Sequence, residues 1–507
     1  MVREPLHIIG QKSAGALGLA LYGEIQSQSD EDGYPLVGIL PPIYPEWLGD
    51  RSFCATHGMR FPYIAGEMAN GIATTRMVSA MARAEMLGFF GAAGLGLPAL
   101  ERAVSELKGE LGARPNWGVN LIHAPGSPEL EERVADLLLR YGVTRISASA
   151  FMQLTPALIR CSAAGLHLDS SGRIVRGVHL FAKVSRPEIA ELFMSPAPGE
   201  LLHALVNRGL LTEAEAQLAA QVPVAETVTV EADSGGHTDN RPLVGVLPAI
   251  LALRDTLSRR FGYDRPIHVG AAGGLGTPAA VAAAFALGAA YVLTGSINQM
   301  AVESGVSEDA KSLLAEADIA DVTMSPSADM FELGVRVQVL RRGTLFAAHA
   351  ARLFETYRAY TGLDAITDEV RTKLEHNVLH ASLEQIWEQT QSFWLERDPH
   401  QIVRAEADPK HRMALVFRWY LGMSSRWAIE GDLARRRDYQ LWCGPAAGAF
   451  NRWVAGSFLA EPAQRSVVQI ARNLLEGAAV STRAHQLRTY GIALPAAAFT
   501  FTPRRLS

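Results

Sequence analysis

"HVGAAGGLGTPAAVAAAFALGAAYVLTGS", His268 to Ser296, packs a strand, a glycine turn, a helix and a second strand into one short run. Alanine dominates its middle and glycine interrupts it, so a stretch nearly long enough to span a bilayer reads instead as a buried helix followed by a buried strand. Gly273, Gly274 and Gly276 carry no Cβ to block a ligand, and the helix that follows turns its first N–H groups toward the same spot. Thr294, Gly295 and Ser296 end the next strand in a second turn. In barrels of alternating strands and helices, the loops after strands seven and eight commonly form a phosphate site, and this pair of turns suits one. Two other readings stay open. The glycines resemble a degenerate dinucleotide fingerprint, although the next strand ends in Thr-Gly-Ser and not in a ribose-binding acid, or they serve only tight turns.

Working back from this run, the same alternation recurs. "FPYIAG", "GFFGAAG", "NWGVNLI", "RISASAF", "GVHLFAKV", "TVTVEAD", "PIHVGAAG" and "AYVLTGS" are strand candidates, most of them separated by helical patterns such as the one in which Met77, Met81 and Ala84 share a face. About eight strands in this order predict an α/β protein, a TIM (β/α)8 barrel over residues 61–325, preceded by an N-terminal segment 1–60. The spacing widens before "TVTVEAD", which predicts a helical insertion near 195–225. From 326 to 507 the pattern turns helical and predicts a mainly α C-terminal extension.

A chain of 507 residues with 48% hydrophobic and 20% charged content has ample material for a core and matches neither disorder nor a coiled coil. Its three cysteines, Cys54, Cys161 and Cys443, lie far apart without zinc or disulfide spacing, which fits a reducing cytoplasmic setting. "AGALGLALYG" imitates a signal-peptide core but lacks a clear cleavage site, so neither export nor a membrane span is expected. The net charge of -5 gives no sign of a nucleic-acid partner, yet residues 401–507 hold 15 basic against 7 acidic side chains. Such a lobe either meets an acidic partner or is a solvated face with internal ion pairs.

A second polar concentration falls in "VTVEADSGGHTDNRPL", Val228 to Leu243. The loop after a barrel strand lies on the face where barrels keep their active sites. Gly235 and Gly236 would let the backbone approach a flat ring, and His237 could donate a proton or a hydrogen bond to substrate. A metal site at Asp233, His237 and Asp239 lacks reinforcing ligand spacing, and no metal is expected. Asp239, Asn240 and Arg241 suit a structural turn network. Asn120, at another strand end, is a candidate to bond a heteroaromatic ring edge or simply forms a turn. "AGEMANG", with Gly66 and Met68, could supply backbone and a soft wall to the same ring. Lys183 in "FAKVSR" faces the mouth or is an ordinary strand-end lysine.

Together, "GVNLI", the "GGH" loop, "GGLGTPAAVAAAFALGA" and "TGS" resemble the flavin-dependent nitronate monooxygenase and FabK-type enoyl reductase superfamily. "ILPPIYPEWLGDRSF", "AGEMANGIAT", "AKVSRPEIAELFMSPAP", "EADSGGHTDNRPL", "SADMFELGVRVQVLRRGT" and "YQLWCGPAAGAFNRWVAGS" narrow the resemblance to the PfaD family, in order and over nearly the whole chain. The resemblance implies a trans-acting enoyl reductase of polyunsaturated fatty acid or polyketide synthases. Such an enzyme uses FMN, reduced by NAD(P)H, to reduce the α,β double bond of an enoyl thioester on an acyl carrier protein. It also implies FMN contacts at Asn120, Gly235, Gly236, Gly273, Gly274, Thr294, Gly295 and Ser296, with His237 as the catalytic histidine; Gly66, Met68 and Lys183 complete the expected cofactor-binding set. Glu67 departs from the pattern, which calls for a small residue there. The acidic carrier expected as partner would be steered by Arg435, Arg436 and Arg437, with Arg341 and Arg342 as further candidates, unless neighbouring aspartates neutralise them. A homodimer is a candidate assembly. The alternatives are a nitronate monooxygenase-like flavin oxidase and a non-catalytic scaffold component of the synthase.

Overall fold

The computed structural model describes residues 2–10, 16–27 and 33–506. They fall into two compact units: one holds residues up to 232, 241–304 and those from 452 onward, and the other holds 233–240 and 305–451.

In the first unit eight parallel strands close into a barrel: Tyr63–Ala65, Leu87–Phe90, Trp117–Ile122, Arg145–Ser149, His179–Val184, Thr227–Glu231, His268–Ala272 and Val292–Thr294. Each pairs with its neighbours in sequence order, and the eighth closes on the first with Val292 opposite Tyr63 and Thr294 opposite Ala65. These are short, β-branched and small-residue runs buried on both faces, the pattern parallel strands take under a coat of helices. The helices start where the chain offers a cap. Thr74, Thr155 and Thr277 accept from the backbone N–H three residues on, and Pro156 and Pro278 occupy first-turn positions that need no N–H.

The barrel's N-terminal end is plugged by the helix Arg51–His57, whose Phe53 stacks on Tyr291 at 4.2 Å between centroids and meets His268 and Phe181 edge-on. Phe53 is fully buried, worth about 2–3 kcal/mol of transfer free energy. With that end closed, the C-terminal ends of the strands are the end left for chemistry. The insertion expected near 195–225 is present as helices Gly199–Asn207 and Glu213–Ala219.

The boundary drawn at 325/326 does not describe how the chain packs. The place of the eighth barrel helix, between Pro278–Ala286 and Thr75–Arg83, is taken by Val467–Thr489 from the C-terminal region. Gly477 allows the contact, since a Cβ there would sit 2.6 Å from Pro278. The same helix anchors a three-stranded antiparallel sheet, Leu6–Gly10 with Leu17–Ala20 and Leu36–Leu40, through Leu6, Ile8, Leu40 and Leu487. Leu17–Ala20, in the stretch that imitates a signal-peptide core, is therefore a strand; Ala14 and Gly15 of that stretch lie outside the described residues.

The second unit is mainly helical. Its core gathers Phe331, Phe346, Phe417 and Tyr420 under helices Phe346–Ala359 and Pro409–Glu430. A small antiparallel sheet completes it: Arg336–Leu340 runs between Val322–Pro326 and the two-residue strand Gly236–His237. Among the described residues, no helix is long and apolar enough to cross a membrane.

Candidate active site

At the C-terminal ends of the barrel strands lies a buried polar network. Lys183, from the fifth strand, places Nζ 3.0 Å from Glu231 Oε1 at the end of the sixth and 3.3 Å from Glu67 Oε1 just past the first. Glu67 Oε1 also accepts from Ser147 Oγ (2.9 Å) and Ser149 Oγ (2.6 Å) of the fourth strand. Burial opposes the charge on Lys183, but Glu231 and Glu67 outweigh it and hold the amine above the ordinary lysine range. Glu67 Oε2 is buried without a partner, an acceptor that a bound ligand's N–H or O–H can meet.

Replacing Lys183 by methionine leaves two buried carboxylates without their counter-charge. The expected result is a loss of about 3 kcal/mol in chemical denaturation at neutral pH. In the parent, the lysine's contribution is complete at any pH below its unfolded value of roughly 10, and is lost only as pH rises past the higher folded value. A variant as stable as the parent would show that the charges do not govern this site.

The two late turns are open. Gly273 and Gly274 have φ of 85° and 73°, which a residue bearing a side chain rarely adopts, and the chain then enters Pro278–Ala286 behind the Thr277 cap. A Cβ on Gly274 or on Gly295 would meet no atom within 4 Å. The turns thus border space that a side chain would enter, beside helix starts, and the residues present fit the phosphate end of a flavin mononucleotide. Ser296 opens the 3-10 helix Ser296–Met300.

Several expected contacts have another explanation. Thr294 is buried, with Oγ1 bonded to the Tyr63 hydroxyl (2.5 Å) and to Asn298 Nδ2 (3.1 Å), so its side chain secures the turn from inside. Asn120 Nδ2 donates to the Ser147 carbonyl (3.0 Å) and Ser149 Oγ (2.9 Å), which ties the amide nitrogen to the serines of the Glu67 network. Gly66 makes room for Leu293, whose Cδ2 would lie 2.5 Å from an added Cβ, and its N–H donates to the Thr294 carbonyl. The Met68 carbonyl packs on Gly91, where a Cβ would collide with it, and accepts from Ala73 N.

His237 belongs to the second unit. Its backbone is fixed by pairing with Arg336–Leu340, Gly236 opposite Gln338 and His237 opposite Val337. Nε2 lies 3.3 Å from Asp329 Oδ1 and 3.2 Å from Ser327 Oγ, and Ser327 in turn donates a short hydrogen bond to Asp329. Gln338 Nε2 holds the loop through Asp233 Oδ1 and the Ser234 carbonyl, both at 2.7 Å. Asn240 Nδ2 bonds Asp233 Oδ1 at 2.8 Å, which is the turn network expected there. Gly235 packs closely on the chain: an added Cβ would sit within 3 Å of Cys443. Gly236, with φ of 79°, completes the turn.

The arginine run does not form a free basic patch. Arg435 lies 4.0 Å over the Trp427 ring, pairs with Asp438 at 3.3 Å and donates to the Val378 and Leu379 carbonyls. Arg436 pairs with Asp309 at 2.7 Å, and Arg342 lies 3.4 Å from Asp321. Internal neutralisation, the second of the two readings of this lobe, describes these three residues.

A closed parallel barrel with open glycine turns after its last two strands defines the class: a (β/α)8 protein. The nitronate monooxygenase family matches residues 52–382, and the chain belongs to that family. Residues 360–439 also match the inserted helical domain of [acyl-carrier-protein] S-malonyltransferase. The chain is 43% identical over 448 residues to a component of the polyunsaturated fatty acid synthase of Thraustochytrium sp., covering 87% of this chain and 30% of that one. It is 43% identical over 438 residues to polyketide biosynthesis protein PksE of Bacillus subtilis, covering 86% and 57%. It therefore spans less than two thirds of either relative. Among solved structures, the enoyl reductase domain of MlnA from the macrolactin cluster of Bacillus amyloliquefaciens superposes with a TM-score of 0.84 at 36% identity, covering 88% of this chain and 99% of that one. The sequence resemblance to PfaD-like enoyl reductases is borne out by these matches.

Glu231, Ser147, Ser149, Tyr63, Asn298, Ser327 and Asp329 do not stand out in the sequence. For Glu231 a signal existed, an acidic residue closing an otherwise apolar strand. For Asp329 only its place in "SADMFELG" hinted at a role.

Proposed function

We propose that the chain is an FMN-dependent enoyl reductase that uses NAD(P)H to reduce the α,β double bond of an enoyl thioester on an acyl carrier protein, in the service of a polyketide or polyunsaturated fatty acid synthase. The observation that carries this reading is the full-length superposition on the MlnA enoyl reductase domain at 36% identity. When bound, the flavin would supply the hydride that adds at the β-carbon, having taken it from the nicotinamide.

The chain's own residues supply the rest. The turns at Gly273–Gly274 and Gly295–Ser296 would hold the phosphate against backbone N–H groups and helix starts. Lys183, kept charged by its two carboxylates, would offer a fixed positive charge at the strand ends, and Glu67 Oε2 an acceptor. The family resemblance gives His237 the place of the active-site histidine, and in that role the imidazole would protonate the α-carbon as charge develops on the thioester oxygen. Hydride and proton together account for the two hydrogens gained.

The family match alone would equally allow oxidation of small nitroalkanes by oxygen. One experiment separates the two. Purified holoprotein is reduced anaerobically with each nicotinamide in turn and given a crotonyl or longer enoyl thioester. A product two hydrogens heavier, with matching nicotinamide consumption, is the expected result. Turnover of nitroalkane with oxygen, and none of the thioester, would overturn the proposal.

A further inference from the structure

We propose that Asp329 is a positioning residue for His237, which sets the protonated nitrogen of the imidazole and favours its charged, proton-donating state. The inference rests on the reading of His237 as proton donor, and its test includes a measurement that does not need that reading.

The geometry restricts the ring from two sides. The ladder to Arg336–Leu340 fixes the backbone of His237, leaving only side-chain rotation. Its Nε2 then meets two oxygens, Asp329 Oδ1 and Ser327 Oγ. The Ser327 hydrogen is already given to Asp329, and an ionised carboxylate can only accept, so both oxygens present lone pairs to Nε2. Nε2 must therefore carry a proton, and the neutral ring is the Nε2–H tautomer. Ser327 is itself buried at the end of Val322–Pro326, with its N–H on the Val335 carbonyl, so the acceptor pair is held by the sheet.

The carboxylate is fit for this role at any working pH. Burial pushes the Asp329 carboxyl up, but the His237 ring and the Ser327 hydroxyl outweigh it and hold the group down at about 2. The same attraction favours the imidazolium. Other charged groups of these elements are Asp233, held by Asn240 and Gln338, Asp239 on the same loop, and exposed Arg336 beside Val337 on the paired strand. Asp329 Oδ1 lies 3.3 Å from Nε2.

The test compares the full-length holoprotein with Asp329→Asn and Asp329→Ala. In the ligand-free proteins, 15N spectra of labelled histidine read the tautomer of His237. The parent is expected to show the Nε2–H form alone and Asp329→Ala a mixture, whatever the reaction catalysed. With an enoyl thioester, Asp329→Asn is expected to lose about 10- to 100-fold in kcat with KM and flavin content near parental. Activity requiring the imidazolium falls as pH rises through the ring's titration, and removing the adjacent negative charge moves that alkaline limb to lower pH. A merely structural ion pair would lower stability but leave tautomer and limb in place. An unchanged tautomer in Asp329→Ala, or an unchanged limb in a folded Asp329→Asn, would overturn the inference. An altered tautomer in a protein without thioester reduction would leave Asp329 in its role and remove the enoyl reductase reading instead.

Discussion

His237→Ala is expected to remain yellow and to lose about 10³-fold in turnover of an enoyl thioester. The reasons for the two halves of that result differ. Flavin retention follows from the division of labour: the open turns at Gly274 and Gly295 belong to the barrel strands, whereas His237 sits in a ladder whose backbone bonds an alanine keeps. The imidazole is more than a third exposed, so its removal leaves no sealed cavity, and the part of the Asp329 side chain that protein does not cover takes up water when its partner goes. Stability should therefore change by no more than about 0.5 kcal/mol. The turnover loss follows from the α-carbon's need for a proton, which a positioned imidazole supplies far better than bulk water. The check is a steady-state assay beside the flavin absorbance of the same sample. Parental turnover would remove His237 from the mechanism, and a colourless variant would mean that the loop holds the cofactor.

The barrel was legible because its strands are read locally. Runs such as Thr227–Glu231 and His268–Ala272 are apolar on both faces, and Thr-Pro pairs at 155–156 and 277–278 mark helix starts. The glycine turns were legible for the same reason. What escaped was every feature made by residues distant in sequence. Val467–Thr489 completes the helical ring from far beyond the eighth strand, and nothing in its own periodicity says which strand it covers. Glu67, Lys183 and Glu231 stand at the ends of three strands, and each alone is an ordinary strand-end charge; only barrel closure brings them within 3.3 Å. The packing demand on Gly235 comes from Cys443, far along the chain, and could not be read locally. Glu67 was visible as a departure from the family pattern, and its salt bridge to Lys183 gives the departure a physical role.

The turn after the seventh strand invites a sharper test. Gly274→Asp is expected to give a folded but colourless protein, with affinity for FMN reduced by about 10³-fold. A Cβ at this position meets nothing, so no collision unfolds the barrel, and aspartate tolerates positive φ at a cost of about 1 kcal/mol. What the substitution adds is a carboxylate in the space proposed for a phosphate. Two like charges about 5 Å apart at an effective dielectric of about 20 repel by about 3 kcal/mol, and the second phosphate charge adds to this. Gly274→Asn separates charge from shape, because asparagine has the same outline and an equal tolerance of positive φ without the charge. Asn is expected to keep most of the flavin, and raised salt should restore part of the binding in Asp, since the repulsion is screened at this open turn. The readouts are flavin released per chain on denaturation and fluorescence titration of the stripped protein with FMN. If Gly274→Asp carried a full complement of flavin, no phosphate could lie against this turn, and the anionic end of the cofactor would have to be sought elsewhere on the barrel.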